Sequence, residues 1–296
     1  MKSRLSLKNS VKAALNSLTL IILLLLSGCS PSNKPTYIKE NIAQSIQDIC
    51  KKEYNLDLKA HLVGDTLWVY LAVEDLLVKS DRPEKYVEKF IVERNQDIPS
   101  ADSLKFEYLI KPIPDTEKTQ EYTYNKAVLD KINNVWKVLR RVVFSLNRSE
   151  TSEPKFYSLI AADIKNGFQM KEIFYYLDLK KVSYEYISWG EYQHRAIQDV
   201  DLNPRIIGDK DGNYIDYKNI TMQEFIIGQI LHRIKLKFHK PEVDKNADID
   251  KEIIKIIAYT VKIYDFKDFD AVELNNLVNN NRIVLNRPAL WEKTTE

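Results

Sequence analysis

Asp209-x-Asp211-Gly212-Asn213 sets two carboxylates and an amide around a glycine, the kind of oxygen cluster a hard cation needs. A third oxygen ligand ahead of the glycine and a distal bidentate glutamate are both missing. Asp, Gly and Asn are equally the residues of a tight turn, so a turn within a hairpin is expected between Ile206-Ile207 and Tyr214–Tyr217. Asp244-x-Asn246-x-Asp248-x-Asp250 also alternates oxygens, but Ile249 stands where the turn glycine belongs and Lys255 where the glutamate belongs. Helix capping by Asp250 explains it more simply. Glu191-x-x-His194 would place a carboxylate and an imidazole on one helical face, as di-metal bundles require, yet the 4 histidines hold no second copy. His232 and His239 are two helical turns apart, too far to share an ion unaided, and neither H-E-x-x-H nor C-x-x-C occurs. No metal site is expected. Without G-x-S-x-G no serine is marked as a nucleophile, and with 42 acidic residues a carboxylate pair cannot be singled out. The chain has only 7 glycines and neither G-x-G-x-x-G nor G-x-x-x-x-G-K-[ST]. Classical dinucleotide and P-loop sites are therefore not expected, nor is a cofactor.

Aromatic side chains are the more suggestive feature: 17 Tyr, 10 Phe and 4 Trp. The densest cluster is Tyr184, Tyr186, Trp189 and Tyr192, interleaved with Gly190, Glu191, Gln193 and His194. Such a mixture resembles a binding edge more than a regular core element, and Tyr and Trp offer large rigid area with a polar tip. These four are the candidate contact surface for an envelope glycan or protein. The bland alternative is that they fill a seam between strand and helix. Lys131, Lys137, Arg140 and Arg141 lie off the apolar stripe of the longest helical pattern and read as a solvated face.

The location of the protein is written at its N-terminus. Lys2, Arg4, Lys8 and Lys12, with no acid, precede an apolar run from Leu18 to Leu26, the two parts of a secretory signal. That run is too short to span a bilayer, which takes about 20 apolar residues. Leu26-Ser27-Gly28-Cys29 then resembles the lipobox of bacterial lipoproteins. The resemblance implies cleavage before Cys29, acylation of its thiol and new amino terminus, and loss of residues 1–28. Residues 29–36, polar and proline-punctuated, become a short tether. At ~0.8 kcal/mol per buried CH₂, two or three acyl chains hold a protein on a membrane essentially permanently. The expected site is the outer membrane of a cell that has one, otherwise the outer face of the plasma membrane. Removing the four cations turns the net charge of +2 slightly negative, so no attraction to nucleic acid remains. With Cys29 acylated, Cys50 is the lone thiol; it cannot form an internal disulfide and is expected to be buried and inert.

The elements that would hold these residues form an α+β chain in two regions, 37–111 and 121–296, or one continuous domain across both. Apolar positions at 38, 42, 46 and 49 predict a helix over 38–53. Alternation from Leu56 to Leu62, Gly64-Asp65 and the run Leu67–Val73 predict a hairpin whose second strand is buried on both faces. A short helix is expected over 84–94, a strand around Phe106–Ile110, and a boundary or long loop over 111–120, where Pro112 and Pro114 stand. Val128, Ile132, Val135, Leu139, Val142 and Leu146 give the strongest helical stripe. Phe156–Ala162 reads as a buried strand and 169–179 as a helix. Thr221 and Glu224 form a capping box ahead of a helix that could yield to a strand at Ile234–Phe238. A helix carrying Ile253 and Ile257 follows, then a short helix from Ala271 and a strand at Arg282–Leu285. Trp68, Leu71, Val135, Leu139, Ile160, Ile230 and Ile257 are the expected core of a monomer. The function these readings favour is a lipid-anchored, non-catalytic binding or assembly module of the cell envelope. The alternative is a lipid-tethered hydrolase acting on an envelope polymer or exported peptide.

Overall fold

Ile42, Ile46 and Cys50 recur every four residues and are the buried face of helix α1 (Ile42–Tyr54), which ends on Asn55 in the left-handed conformation. In the computed structural model, residues 37–94, 102–146, 154–239 and 243–292 are described, and Tyr37–Glu296 forms one compact unit. The signal segment, Cys29 and the tether lie outside the described residues. Burial pushes the Cys50 thiol up to about 12, which suits an inert core sulfur.

Strands β1 (Lys59–Val63) and β2 (Thr66–Val73) make the expected hairpin around Gly64-Asp65. β3 (Leu77–Arg94) and β4 (Ser103–Tyr124) follow as a long antiparallel pair, then helix α2 (Lys126–Phe144), and β5 (Phe156–Asp163) returns parallel to β2. β6 (Phe168–Tyr175) and β7 (Ile197–Leu202) complete a five-stranded sheet in the order β1-β2-β5-β6-β7. Between these last two strands run helices α3 (Tyr176–Ser183) and α4 (Trp189–Arg195). Leu67, Val69, Leu71, Leu159 and Ala161 pack toward α1 and α2, while Trp68, Tyr70, Phe156 and Ile160 pack against Ile206, Ile220 and Phe225. Covering both faces is why β2 and β5 are apolar without alternation.

The second layer begins with α5 (Met222–Phe238), opened by the Thr221–Glu224 capping box, and α6 (Ile249–Ile263). β8 (Ala271–Asn276), β9 (Asn281–Asn286) and α7 (Arg287–Glu292) follow. Sheet order is β3-β4-β8-β9, and its apolar face (Phe90, Phe106, Ile110, Leu274) packs on Ile230, Ile234, Ile253 and Ile257. The fold is α+β, and all seven expected core residues are buried.

Several local expectations are corrected. Residues 84–94 are strand, and 111–120 lie within β4, paired to Glu84–Ile91, so the expected division there falls inside a strand. The polar composition of this stretch reflects a ribbon with both faces largely in solvent, its backbone groups satisfied across the pair. Residues 169–175 are β6, because hydrogen bonds to both β5 and β7 outweigh local preference. α5 stays helical to Phe238, and Ala271 opens β8. Asp248, not Asp250, caps α6; Asp250 instead accepts hydrogen bonds from Tyr108 Oη at 2.7 Å and Asn276 Nδ2 at 2.7 Å. The segment around Asp209–Gly212 is a chain of turns without flanking strands.

Candidate functional site: an aromatic-walled cavity

The stripe that anchors α2 leaves Asn133, Trp136, Lys137 and Arg140 on a different face, at the three- and four-residue spacing of neighbours on a helix. That face forms one wall of a cavity of about 880 Å³. The floor comes from β6, where Glu172 and Phe174 project on the same side because side chains two apart on a strand share a face. Helix α4 supplies Trp189, Tyr192, Gln193 and His194, held at its start by Ser188, whose hydroxyl accepts from Glu191 N at 3.1 Å. His232 and Leu236 on α5 and Gln198 on β7 close the remaining side.

Four rings run through the wall in succession. Trp136 meets Phe174 edge-on at 4.3 Å between centroids, Phe174 stacks on Tyr192 at 5.5 Å, and Tyr192 meets Trp189 at 5.3 Å. The indole Nε1 of Trp136 also donates to Glu172 Oε2 at 2.8 Å. Burial raises the Glu172 carboxyl, and this hydrogen bond offsets only part of that. Burial likewise pushes up the Tyr192 phenol. His232 is lowered to about 4, first by burial and then by Lys235 and Arg233, so it stays neutral at ordinary pH. The site thus offers aromatic faces, neutral imidazole and amides that can donate and accept, a carboxyl biased toward its protonated form, and cationic groups on α2.

Those cations differ in their commitments. Arg141 makes a two-pronged pair with Glu53, at 2.8 and 2.9 Å, and Lys137 Nζ donates to Asn134 Oδ1 at 3.0 Å. Arg140, half-buried in the cavity wall, has no hydrogen bond or ion pair among the described residues. The expectation that this basic face is merely solvated is corrected for Arg140 and Lys137, which line the cavity.

The four aromatic candidates separate. Trp189, 55% exposed, and Tyr192, 5% exposed, both line the cavity. Tyr184 lies edge-on to Phe144 at 6.0 Å and Tyr186 is 79% exposed; neither belongs to the cavity wall. From the sequence, Trp136 and Glu172 are not singled out, Phe174 counts only among the aromatics, Arg140 reads as solvated and His232 is weighed only as a metal ligand. The signal that could have found part of the set was the second face of α2, where Trp136 stands among polar residues opposite a complete apolar stripe.

Glu191 and His194 are also separated: His194 faces the cavity, whereas Glu191 accepts from Arg195 Nε at 2.8 Å and lies 3.5 Å from Arg233 Nη2. Asp209 spends its carboxylate on the backbone, accepting from the N–H groups of Asp211, Gly212 and Tyr214, while Asp211 pairs with Lys59 at 2.8 Å. Among the described residues no three His, Cys, Asp or Glu side chains are grouped to hold a metal ion.

No family model matches the chain, and comparison with curated proteins and with solved structures finds no match.

Proposed function

We propose that the protein is a lipid-anchored binding module of the bacterial cell envelope whose cavity takes a glycan. The lipobox and its preceding signal segment support the anchor; among the described residues no helix is long and apolar enough to cross a membrane. The observation that carries the ligand class is the succession Trp136–Phe174–Tyr192–Trp189 beside Asn133, Gln193 and Gln198. A sugar ring has an apolar face that suits aromatic side chains and hydroxyls that both donate and accept, as amides do.

Two measurements test this reading. Replacement of Cys29 by Ser should abolish acyl labelling and release the protein from the membrane; unchanged retention would make Leu18–Leu26 the anchor. Binding of envelope oligosaccharides, followed by tryptophan fluorescence, should weaken about tenfold or more in Trp189→Ala, as for an exposed aromatic anchor. Binding that ignores this change would move the ligand elsewhere.

The hydrolase reading rests on Glu172, whose raised carboxyl could protonate a leaving oxygen. Turnover of a bound saccharide that disappears in Glu172→Gln, with binding retained, would make the protein an enzyme.

A further inference from the structure

We infer that the ligand of this cavity is an acidic saccharide whose carboxylate is received by the guanidinium of Arg140, an inference that rests on the glycan reading above.

Three observations lead there. Five cations project from α2 off its buried stripe, and the structure gives two of the three on its C-terminal half a partner: Arg141 forks onto Glu53, and Lys137 is bonded to Asn134. Of these three only Arg140 both lines the cavity and has no hydrogen bond or ion pair among the described residues, and it is half-buried. A guanidinium carries five N–H donors, and holding it partly out of water with none of them used is costly unless something else occupies them. Its planar fork matches a carboxylate in two parallel hydrogen bonds, a geometry that a neutral hydroxyl cannot reproduce.

The second observation is position. Arg140 lines the same cavity as Trp136, Phe174, Tyr192 and Trp189, the residues of the ring succession. One ligand can therefore lay an apolar ring face on the aromatics and present an acid group to Arg140. The third is charge balance. Asp130 and Glu172 are the acidic residues of the wall, and Glu172 is already occupied by the Trp136 indole. Burial biases Glu172 toward its neutral form, which leaves Lys137 and Arg140 against Asp130, so an anion is favoured over a cation.

The test uses the full-length protein in detergent. Oligosaccharides of glucuronic acid, galacturonic acid and sialic acid are each paired with the carboxyl-reduced neutral compound, and both members are titrated. The acidic member of at least one pair should bind tenfold or more tighter than its neutral counterpart, and added salt should weaken it. Arg140→Gln should remove this preference, at about 10- to 100-fold for a charge-assisted pair, so that the acidic and neutral members of each pair bind alike. Arg140→Lys should restore part of it, since charge returns without the fork. Because Arg140 has no hydrogen bond or ion pair among the described residues, both variants should melt with the parent. Equal binding within every pair, or a preference that survives in Arg140→Gln, would overturn the inference and leave the glycan reading standing. Failure of every saccharide to bind would overturn both.

Discussion

Arg195 donates from Nη1 to Asp178 Oδ1 at 2.8 Å, with the two side chains only 8% and 2% exposed. The other oxygen of Asp178 accepts from Tyr264 Oη at 2.7 Å, and the Arg195 backbone carbonyl accepts from Gln229 Nε2. This one buried pair therefore ties α3 and α4, the latter carrying Trp189 and Tyr192 of the cavity wall, to α5 and the end of α6. Two oppositely charged groups held this deep are stable only together.

Asp178→Ala should accordingly cost about 3–5 kcal/mol in urea denaturation, the range found when one partner of a buried pair is removed. Asp178→Asn, which keeps an acceptor and the shape, should cost less. A loss below about 1 kcal/mol for the alanine variant would show that the pair does not hold these helices.

Gly212 and Gly208 separate conformational strain from crowding. Both have positive φ, +74° and +77°. A Cβ on Gly212 would lie 2.2 Å from Tyr217 Oη and 2.9 Å from the Tyr70 ring, whereas one on Gly208 would meet nothing within 4 Å. Gly208→Ala should cost about 1–2 kcal/mol, the left-handed penalty alone, and Gly212→Ala should add about 1–3 kcal/mol for overpacking. Equal losses would mean that Tyr217 swings aside freely.

His232 should make stability fall on mild acidification. Its imidazole titrates at about 4 when folded and 6.5 when exposed in the unfolded chain, so within that window the unfolded chain holds the extra proton. The contribution is complete above 6.5 and is lost as pH falls toward 4, to a total of about 3 kcal/mol. In urea denaturation at pH 7 and pH 4 the parent should lose about 3 kcal/mol more than His232→Gln; equal losses would show the imidazole to be solvated. Glu172, raised by the fold, acts in the opposite sense, its contribution being lost as pH rises.

Trp189 and Tyr192 should respond differently to alanine. Tyr192 is buried between Phe174 and Trp189, so its truncation should cost about 3 kcal/mol or more. Trp189 is largely exposed, and its loss should change stability by less than about 1 kcal/mol while weakening ligand binding. Comparable destabilisation by both would make the pair a packing seam and remove the case for a binding edge.

Much of this molecule follows from patterns a few residues long. The stripe of α2 from Val128 to Val142, the double burial of Leu67–Val73, the capping box at Thr221 and the inert Cys50 were legible because periodicity and capping are local properties of the chain. The basic and apolar segment ending at Cys29 is local in the same sense. Two of the four aromatic candidates, Trp189 and Tyr192, belong to the cavity because helical spacing puts them on one side of α4. What required the tertiary structure were relations across long sequence distances. Residues 84–94 and 169–175 have helical spacing but gain more from strand pairing, and nothing near them in sequence reveals the partner strand. Glu172 reads as one acid among 42 until β6 brings it beneath Trp136. Arg140 and Arg141 are adjacent and chemically identical, and only the placement of Glu53 on α1 pairs one while leaving the other to face the cavity. Burial and partnership depend on which surfaces meet, and these are set by packing between elements and not by the residues that form any one of them.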